Sequence, residues 1–377
     1  RLVPPGCPPA EETTKLLKGW LRERGYGDAV ARELRPLLYN PWVLDRALEA
    51  LATWKPTAIV ERLSLFGHVG LDLARALHVP LILEVNAILT EEARRFRSLV
   101  LQQMAEAMEQ RVLHAADAVL AVSSPLAERL AEKGVRPERL HVVPNGVDLE
   151  LFERAPSRAA CRAELGLNGG YVVGFAGSLK AWHGVDVLLA SFQRVHREDE
   201  SARLVIVGSG PMEESLRQAA RAMRLGEAVV FTGAVEHERV PAFLRAMDVA
   251  VAPFRRVENF YFSPIKLFEY MASDTCIVAT RLGQISEVIE DGSSGMLCRP
   301  DDVSDLSAKL LQVRQSPDLR ERLASRALGV VRERYTWAHA AKKTSDVIRD
   351  AAEARRQSVS AAGPAAGGGT QTAEVMR

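Results

Sequence analysis

The chain has no long apolar run and no surplus of either charge, and each absence excludes a class of protein. Among its 377 residues, 49 Lys and Arg stand against 48 Asp and Glu. The resulting net charge of +1 excludes a strongly basic nucleic-acid-binding protein and an acidic tail protein. No apolar stretch approaches the ~18 residues that a membrane-spanning helix needs. Aromatic residues make up only 6%, too few to suggest a stacking surface for single-stranded nucleic acid.

Cysteine is also scarce. The four cysteines, Cys7, Cys161, Cys276 and Cys298, stand singly, with no CxxC pair and no histidine at metal-ligand spacing. Scattered single cysteines are typical of reduced thiols in a cytosolic protein. We therefore expect a cytoplasmic protein without a cysteine-ligated metal site.

From residue 57 onward, short apolar strands alternate with amphipathic helices. In the first half the strands are predicted at 57–62, 79–86, 117–123 and 140–148, with one long helix over 91–116. Six further strands are predicted in the second half, at 171–177, 203–208, 228–233, 249–254, 276–280 and 295–299. Continuous apolar strands separated by helices are typical of a parallel sheet covered on both faces. The sequence therefore predicts an α/β protein with two facing, Rossmann-like, doubly wound domains.

The same pattern predicts the domain boundaries. An N-terminal domain is expected at 1–167 and a C-terminal domain at 168–335, followed by one more amphipathic helix at 336–356. The remaining tail, 357–377, is rich in Gly, Ala and Ser and carries almost no charge, so it is expected to be disordered.

Loops that follow the strands of the second domain are the expected ligand-binding region, because ligands bind beyond the carboxyl ends of parallel strands. Gly177 and Ser178 follow the first of these strands, and Lys180 and His183 lie in the same loop. Both side chains could donate to a diphosphate, Lys180 as a compact cation and His183 in either charge state. The alternative is a solvated lysine beside an ordinary loop histidine.

The next loop, GSGP, contains the first two glycines of a dinucleotide-binding fingerprint, beginning at Gly208. Glu213 occupies the position of the third glycine, so the pattern is broken. A tight strand-to-helix turn is therefore favoured over an NAD site.

The segment NFYFSPIKLFEYMAS carries the strongest candidate site. Ser263 is predicted as the N-cap of a helix with Pro264 at its first position. The N–H groups of Ile265 and Lys266 would then form an anion site at the positive end of the helix, to which Lys266 adds a full charge. Glu269, further into the helix, could accept from sugar hydroxyls. An ordinary capped helix with a solvated Glu remains the alternative.

Six segments in order resemble glycosyltransferase family 4, a family of retaining enzymes with the two-domain GT-B fold. The resemblance runs from about Thr57 to Trp337 and covers roughly three-quarters of the chain. The segments are VVPNGVDLELF, GSLKAWHGVDVLLASF, LVIVGSGP, FTGAV, SPIKLFEYMASDTCIVAT and GQISEVIEDGSSGMLCRP. Two further segments, ERLSLFGHVG and LEVNAILTEE, are similar to a subgroup of the family.

The resemblance implies roles for particular residues. Glu269 matches the second Glu of a family pair, associated with the donor ribose, whereas Tyr261 stands where the first Glu would fall. The family's phosphate-binding Arg and Lys would fall near Ser178 and His183, so the cationic role is expected to move to Lys180 and Lys266. Together with Glu269, these two lysines are the expected catalytic residues. The implied donor-binding residues are Gly177, Ser178, His183, Gly208, Val235, Tyr261, Ser263, Pro264, Ile265 and Leu267, and the acceptor-side residues are Glu84 and Asn86.

The function implied is that of a retaining, metal-independent hexosyltransferase that needs no cofactor. Its donor would be a nucleotide-diphospho-sugar and its acceptor a sugar, a lipid-linked molecule or a small molecule. No nucleic acid and at most a weak peripheral membrane contact are expected. Two alternatives stay open, a nucleotide-sugar 2-epimerase of the same fold and a non-catalytic nucleotide-sugar-binding homologue.

The start of the chain differs from the family pattern. Family members begin with a strand and a Gly-rich loop, and nothing before Cys7 resembles them, so an N-terminal truncation is predicted.

Overall fold

The computed structural model describes residues 8–25, 28–96, 99–167, 169–258 and 260–361. They divide into two compact units: the first runs to Leu120 and includes Gly134–His141 and the chain from Thr344, and the second comprises Ala121–Lys133 and Val142–Lys343.

Within the described residues the strands are β1 (Ile59–Arg62), β2 (Leu81–Val85), β3 (Ala118–Ala121), β4 (Leu140–Val142), β5 (Val172–Ala176), β6 (Arg203–Val207), β7 (Val229–Gly233), β8 (Val249–Ala252), β9 (Cys276–Thr280) and β10 (Met296–Cys298).

Helices precede, separate and follow these strands. In the described residues they are α1 (Pro8–Glu23), α2 (Asp28–Ala50), α3 (Val69–Leu77), α4 (Leu89–Phe96), α5 (Gln102–Ala115), α6 (Ser124–Glu132), α7 (Leu149–Glu153), α8 (Arg158–Glu164), α9 (Val185–Glu198), α10 (Glu213–Ala222), α11 (Val240–Ala246), α12 (Ile265–Ala272), α13 (Ile285–Val288), α14 (Val303–Gln315), α15 (Pro317–Arg334) and α16 (Trp337–Ala361). Every strand predicted from the sequence is present; β9 has the predicted bounds, the others are one to six residues shorter, and the α/β prediction is confirmed.

A four-stranded sheet runs in the order β1-β2-β3-β4. β1 and β2 are parallel, with Ile59 opposite Leu81 and Arg62 opposite Glu84. All of β2 is buried except Glu84, which is partly exposed. An apolar strand interrupted by one polar residue near its carboxyl end places that residue at the edge where ligands bind.

The second unit contains a six-stranded sheet in the order β10-β9-β8-β5-β6-β7. β5 pairs in parallel with both β6 and β8, so the strand order reverses there. The connections to the strands on the two sides of β5 run in opposite directions, and this arrangement opens a crevice beyond the carboxyl end of β5. The core on the two faces of this sheet is apolar, and β5, β8 and β9 are buried throughout.

The helix predicted over 91–116 is two helices, α4 and α5. The reason lies in a carboxylate from α2: Glu33 accepts from the backbone N–H groups of Val100 and Leu101 at 2.9 and 2.7 Å. Satisfying these groups from another helix lets the chain begin a new helix at Gln102. The apolar periodicity of the sequence continues through this break, because a hydrogen bond from a residue as distant as Glu33 leaves no trace in the local pattern.

α16 begins in the second unit and belongs to the first from Thr344 onward. Arg355 on this helix lies 3.3 Å from Asp117 of the first unit. The helix extends to Ala361, so residues 357–361 of the predicted tail are helical. The rest of that tail, Cys7 and residue 168 at the predicted domain boundary lie outside the described residues.

Candidate functional site

Two glycine loops pack backbone against backbone beyond β5 and β6. Gly177 has φ 143° and Gly208 has φ 125°, a region that other residues rarely adopt. The Gly177 N–H donates to Val207 O, and a Cβ on Gly208 would lie 2.1 Å from Gly177 O. Glu213 pairs with Arg217 on α10 at 2.8 Å. Gly208 therefore permits a tight turn, as predicted.

The loop after β5 holds its histidine in one orientation. His183 Nδ1 donates to the carbonyl of Ser178. Burial, and then the nearby charge of Lys266, lowers the pKa of His183 to about 4. The neutral ring therefore has its proton on Nδ1 and a lone pair on Nε2, so it has no second N–H to offer a phosphate. Lys180 is exposed, with Nζ 4.8 Å from the centre of the Trp182 ring.

α12 begins one residue later than predicted, with Pro264 as its N-cap. Ser263 does not cap the helix; its hydroxyl and carbonyl instead accept from the backbone and side-chain N–H groups of Asn145 at 3.4 and 3.1 Å. Leu267 donates its N–H to Pro264 O and is fully buried, so its side chain packs in the apolar core. The N–H groups of Ile265 and Lys266 are the first of the helix, which the intrahelical pattern leaves unused.

Tyr270 fixes α12 against β5. Its buried hydroxyl donates to the carbonyl of Ala176 and accepts from the N–H of the same residue, both at 2.9 Å. Burial raises the pKa of this phenol well above its usual value. Because Ala176 immediately precedes Gly177, this pair of bonds sets the start of α12 beside the first glycine loop.

Lys266 projects inward from the first turn of α12. Its Nζ is fully buried and has no hydrogen-bond partner among the described residues. It lies 4.3 Å from the centre of the Phe175 ring and 5.1 Å from that of Phe254. A Cβ on Gly177 would come within 2.5 Å of it, so the glycine makes room for the ammonium. Burial lowers the pKa of Lys266 to about 7.

Glu269 follows Lys266 on α12 and is 14% exposed. Burial raises the pKa of its carboxyl, an effect that His237 and Lys266 oppose. His237, which follows β7, places Nδ1 3.8 Å from Oε1 of Glu269. Val235 precedes it in the same loop and is partly buried. A carboxylate with these neighbours can accept hydrogen bonds from a ligand that reaches the loop.

Tyr261 is a buried aromatic residue where the resemblance would place a glutamate. It is 5% exposed, and its carbonyl accepts from the hydroxyl of Ser123 at 2.5 Å. The same hydroxyl caps α6 by accepting from Leu126 N–H. Backbone anchoring therefore holds the Tyr261 segment, independently of the tyrosine side chain.

In the first unit, three polar side chains share one face of the sheet edge. Arg62 holds Glu84 through Nε and Nη2 at 3.1 and 2.8 Å. Glu84 in turn accepts from Nδ2 of Asn86 at 3.2 Å. The arrangement fixes the amide of Asn86, whose Oδ1 is buried without a partner among the described residues. Arg62 was not singled out in the sequence, although its place opposite Glu84 follows from the strand register.

A cavity of about 530 Å³ lies at the other edge of the six-stranded sheet, where β8 and β9 begin. Arg158, Asp248 and Arg320 are among its lining residues. These charges already serve the fold: Arg158 donates to Met247 and Asp274 carbonyls, and Arg162 pairs with Asp248 at 2.6 Å. The cavity is remote from the glycine loops and carries none of the predicted site residues.

Neither a metal cluster nor a membrane span occurs in the described part of the chain. No group of three or more His, Cys, Asp or Glu there could hold a metal ion. None of its helices is long and apolar enough to cross a membrane. The thiols of Cys161, Cys276 and Cys298 are free and buried.

Comparison with known protein families gives two matches. Residues 170–316 match the family model "Glycosyl transferases group 1", and residues 4–151 match "Glycosyltransferase Family 4". The two matched ranges contain the six-stranded and the four-stranded sheet, respectively.

Individual proteins agree with these families. A D-inositol 3-phosphate glycosyltransferase of Catenulispora acidiphila is 31% identical over 78% of this chain and 72% of its own. A glycogen synthase of Mycobacterium tuberculosis is 26% identical over 81% of this chain and 71% of its own. Among solved structures, HepE of Anabaena in complex with UDP superposes with a TM-score of 0.66 at 18% identity, covering 84% of this chain and 82% of that one.

Proposed function

Because the chain belongs to glycosyltransferase family 4 and is a glycosyltransferase with the GT-B fold, we propose that it transfers a hexose with retention of configuration. The donor is a nucleotide-diphospho-sugar and the acceptor hydroxyl belongs to a sugar, a lipid-linked molecule or a small molecule. One observation supports this most strongly: at the positive end of α12, beside Gly177, the Nζ of Lys266 is buried and has no hydrogen-bond partner among the described residues. No observation favours the 2-epimerase alternative.

The donor's diphosphate lies over the glycine loops and the start of α12. The Gly177, Ser178 and Gly208 backbone allows close approach, while Lys266 and the first N–H groups of α12 supply positive potential. Lys180, exposed in the loop after β5, adds a second positive charge. Preorganised positive groups at the point where the leaving diphosphate gains charge stabilise the transition state.

The remaining groups orient the donor and the acceptor. Glu269 accepts from the ribose hydroxyls, and the backbone at Val235 meets the base. Glu84 and Asn86 lie on the acceptor side, with Asn86 oriented by its bond to Glu84. Tyr261 offers a phenol ring in place of a carboxylate, so donor-sugar recognition at this position differs from the usual family pattern.

Neither a divalent metal nor a cofactor takes part in this proposal. Lys266 and the α12 dipole supply the positive charge that a metal would otherwise bring to the diphosphate. With no carboxylate nucleophile assigned, the acceptor hydroxyl attacks from the face that the diphosphate leaves. Nucleic acid has no role, a membrane contact would be peripheral and weak, and the cytoplasmic location stays a prediction.

A panel of nucleotide-sugars tests the function. UDP-glucose is the first donor to try, because HepE of Anabaena was crystallised with it. Proton NMR of the product's anomeric signal reports transfer and configuration together. We expect an α-linked product from an α-linked donor, and strongly reduced turnover in Glu269→Gln but not in Glu214→Gln, an exposed control on α10.

Three outcomes would contradict parts of the proposal. A product of inverted configuration would exclude retention. Release of an epimerised nucleotide-sugar would support the 2-epimerase alternative. Donor binding without transfer to any acceptor would favour the non-catalytic homologue.

A further inference from the structure

The environment of Lys266 suits an uncharged amine better than an ammonium when the site is empty. Nζ is fully buried and makes no hydrogen bond among the described residues, so a charged group would leave three N–H donors unsatisfied. It also lies at the positive end of α12, which repels a cation. Two contacts favour the ammonium instead, namely those with the ring faces of Phe175 and Phe254.

The charged and titratable groups around Lys266 do not compensate for this burial. From α12 itself, Glu269 attracts the ammonium, yet burial raises the pKa of that carboxyl as well. From the loop after β5 come His183, which is neutral, and Lys180, a second cation. β5 and the loop after β8 contribute the rings of Phe175 and Phe254. Desolvation therefore dominates, and the pKa of Lys266 is lowered to about 7.

A diphosphate over the Gly177 loop would reverse this balance. Its two negative charges would lie close to Nζ in a dry setting, where an ion pair is strong. His183 cannot share the task, because its Nδ1 proton is already used by Ser178.

We propose that, above pH 7, Lys266 is mainly a neutral amine in the empty site and takes up close to one proton from solvent when the donor's diphosphate binds. The inference rests on the proposed function and adds a regulation of the same site: donor affinity falls as the pH rises. The amine plus one solvent proton gives the ammonium, and nothing else is gained or lost.

Calorimetric titration of UDP-glucose in buffers of different ionisation enthalpy counts the protons taken up. With a pKa of about 7 in the empty site, linkage predicts uptake of about 0.9 proton per donor at pH 8 and about 0.1 at pH 6. The dissociation constant should rise about fiftyfold between pH 7 and pH 9. Lys266→Met should abolish the uptake and the pH dependence, whereas Lys55→Met, at an exposed position, should keep both.

A second measurement needs no donor. In protein labelled at lysine Cε, the signal missing from Lys266→Met identifies Lys266 among the chain's nine lysines. We expect it to titrate near pH 7 in the empty protein and above pH 9 with UDP-glucose bound.

The outcomes separate the two proposals. If UDP-glucose or another panel member binds with no proton uptake at pH 8, or if the empty-site signal titrates near pH 10, the inference is wrong and the function stands. If no nucleotide-sugar binds or reacts, the proposed function fails and the inference falls with it.

Discussion

Replacing Lys266 by methionine should stabilise the empty protein, although it should weaken donor binding. Methionine has a similar length and no charge to bury. The pKa of Lys266 falls from 10.5 to about 7 on folding, which at ~1.4 kcal/mol per pKa unit corresponds to a penalty on the order of 5 kcal/mol. The two cation–π contacts favour the ammonium and are already part of this difference, so the gain at pH 6 is at most about 5 kcal/mol.

The sign of the pH dependence follows from which state holds more protons. Between pH 7 and pH 10.5 the unfolded chain keeps the Lys266 proton and the folded chain does not, so stability rises with pH. The penalty is full below pH 7 and absent above pH 10.5. Methionine removes both the penalty and this slope, so the gain should be greatest at pH 6 and small near pH 10.

Scanning calorimetry without ligand at pH 6, 8 and 9.5 measures the effect. For a unit of this size, a gain of about 5 kcal/mol would raise Tm by about 10–20 °C, which is the upper limit expected. Lys55→Met serves as the control, because it makes the same substitution at an exposed site. A lower Tm for Lys266→Met than for wild type at pH 6 would refute the reasoning.

Three other expectations follow from the site. Glu269→Gln should weaken nucleotide-sugar binding by ~1.5–3 kcal/mol, because an amide oxygen replaces a carboxylate; unchanged affinity in a calorimetric titration would remove Glu269 from the site. Tyr270→Phe should lower the unfolding free energy by ~1–3 kcal/mol, since Ala176 loses a buried partner, and equal urea midpoints would contradict this. A chelator should leave turnover unchanged, and loss of activity that Mg²⁺ restores would exclude a metal-independent reaction.

The strands were the most predictable part of the fold, because β5, β8 and β9 are buried on both faces and read as continuous apolar runs. Helix limits depended on distant partners and were less predictable. Glu33 breaks the predicted long helix from α2, and Asn145 holds Ser263 across more than a hundred residues. No local pattern records either contact.

The candidate site shows the same division. An anion site at the start of α12 was predicted from local capping signals, although Pro264, not Ser263, is the N-cap. The burial of Lys266 could not be predicted, because the rings that cover its Nζ belong to Phe175 on β5 and Phe254 after β8, which are distant in sequence. Likewise, the state of His183 depends on the Ser178 carbonyl, which the sequence places nearby without fixing its direction.

Affinity for UDP-glucose and for uridine, measured side by side at pH 7 in wild type and in Lys266→Met, tests the central claim most directly. If the diphosphate lies over Lys266 and the start of α12, the variant should lose at least tenfold in affinity for UDP-glucose, or ~1.4 kcal/mol, and none for uridine. Equal losses for both ligands, or no loss for either, would contradict the account.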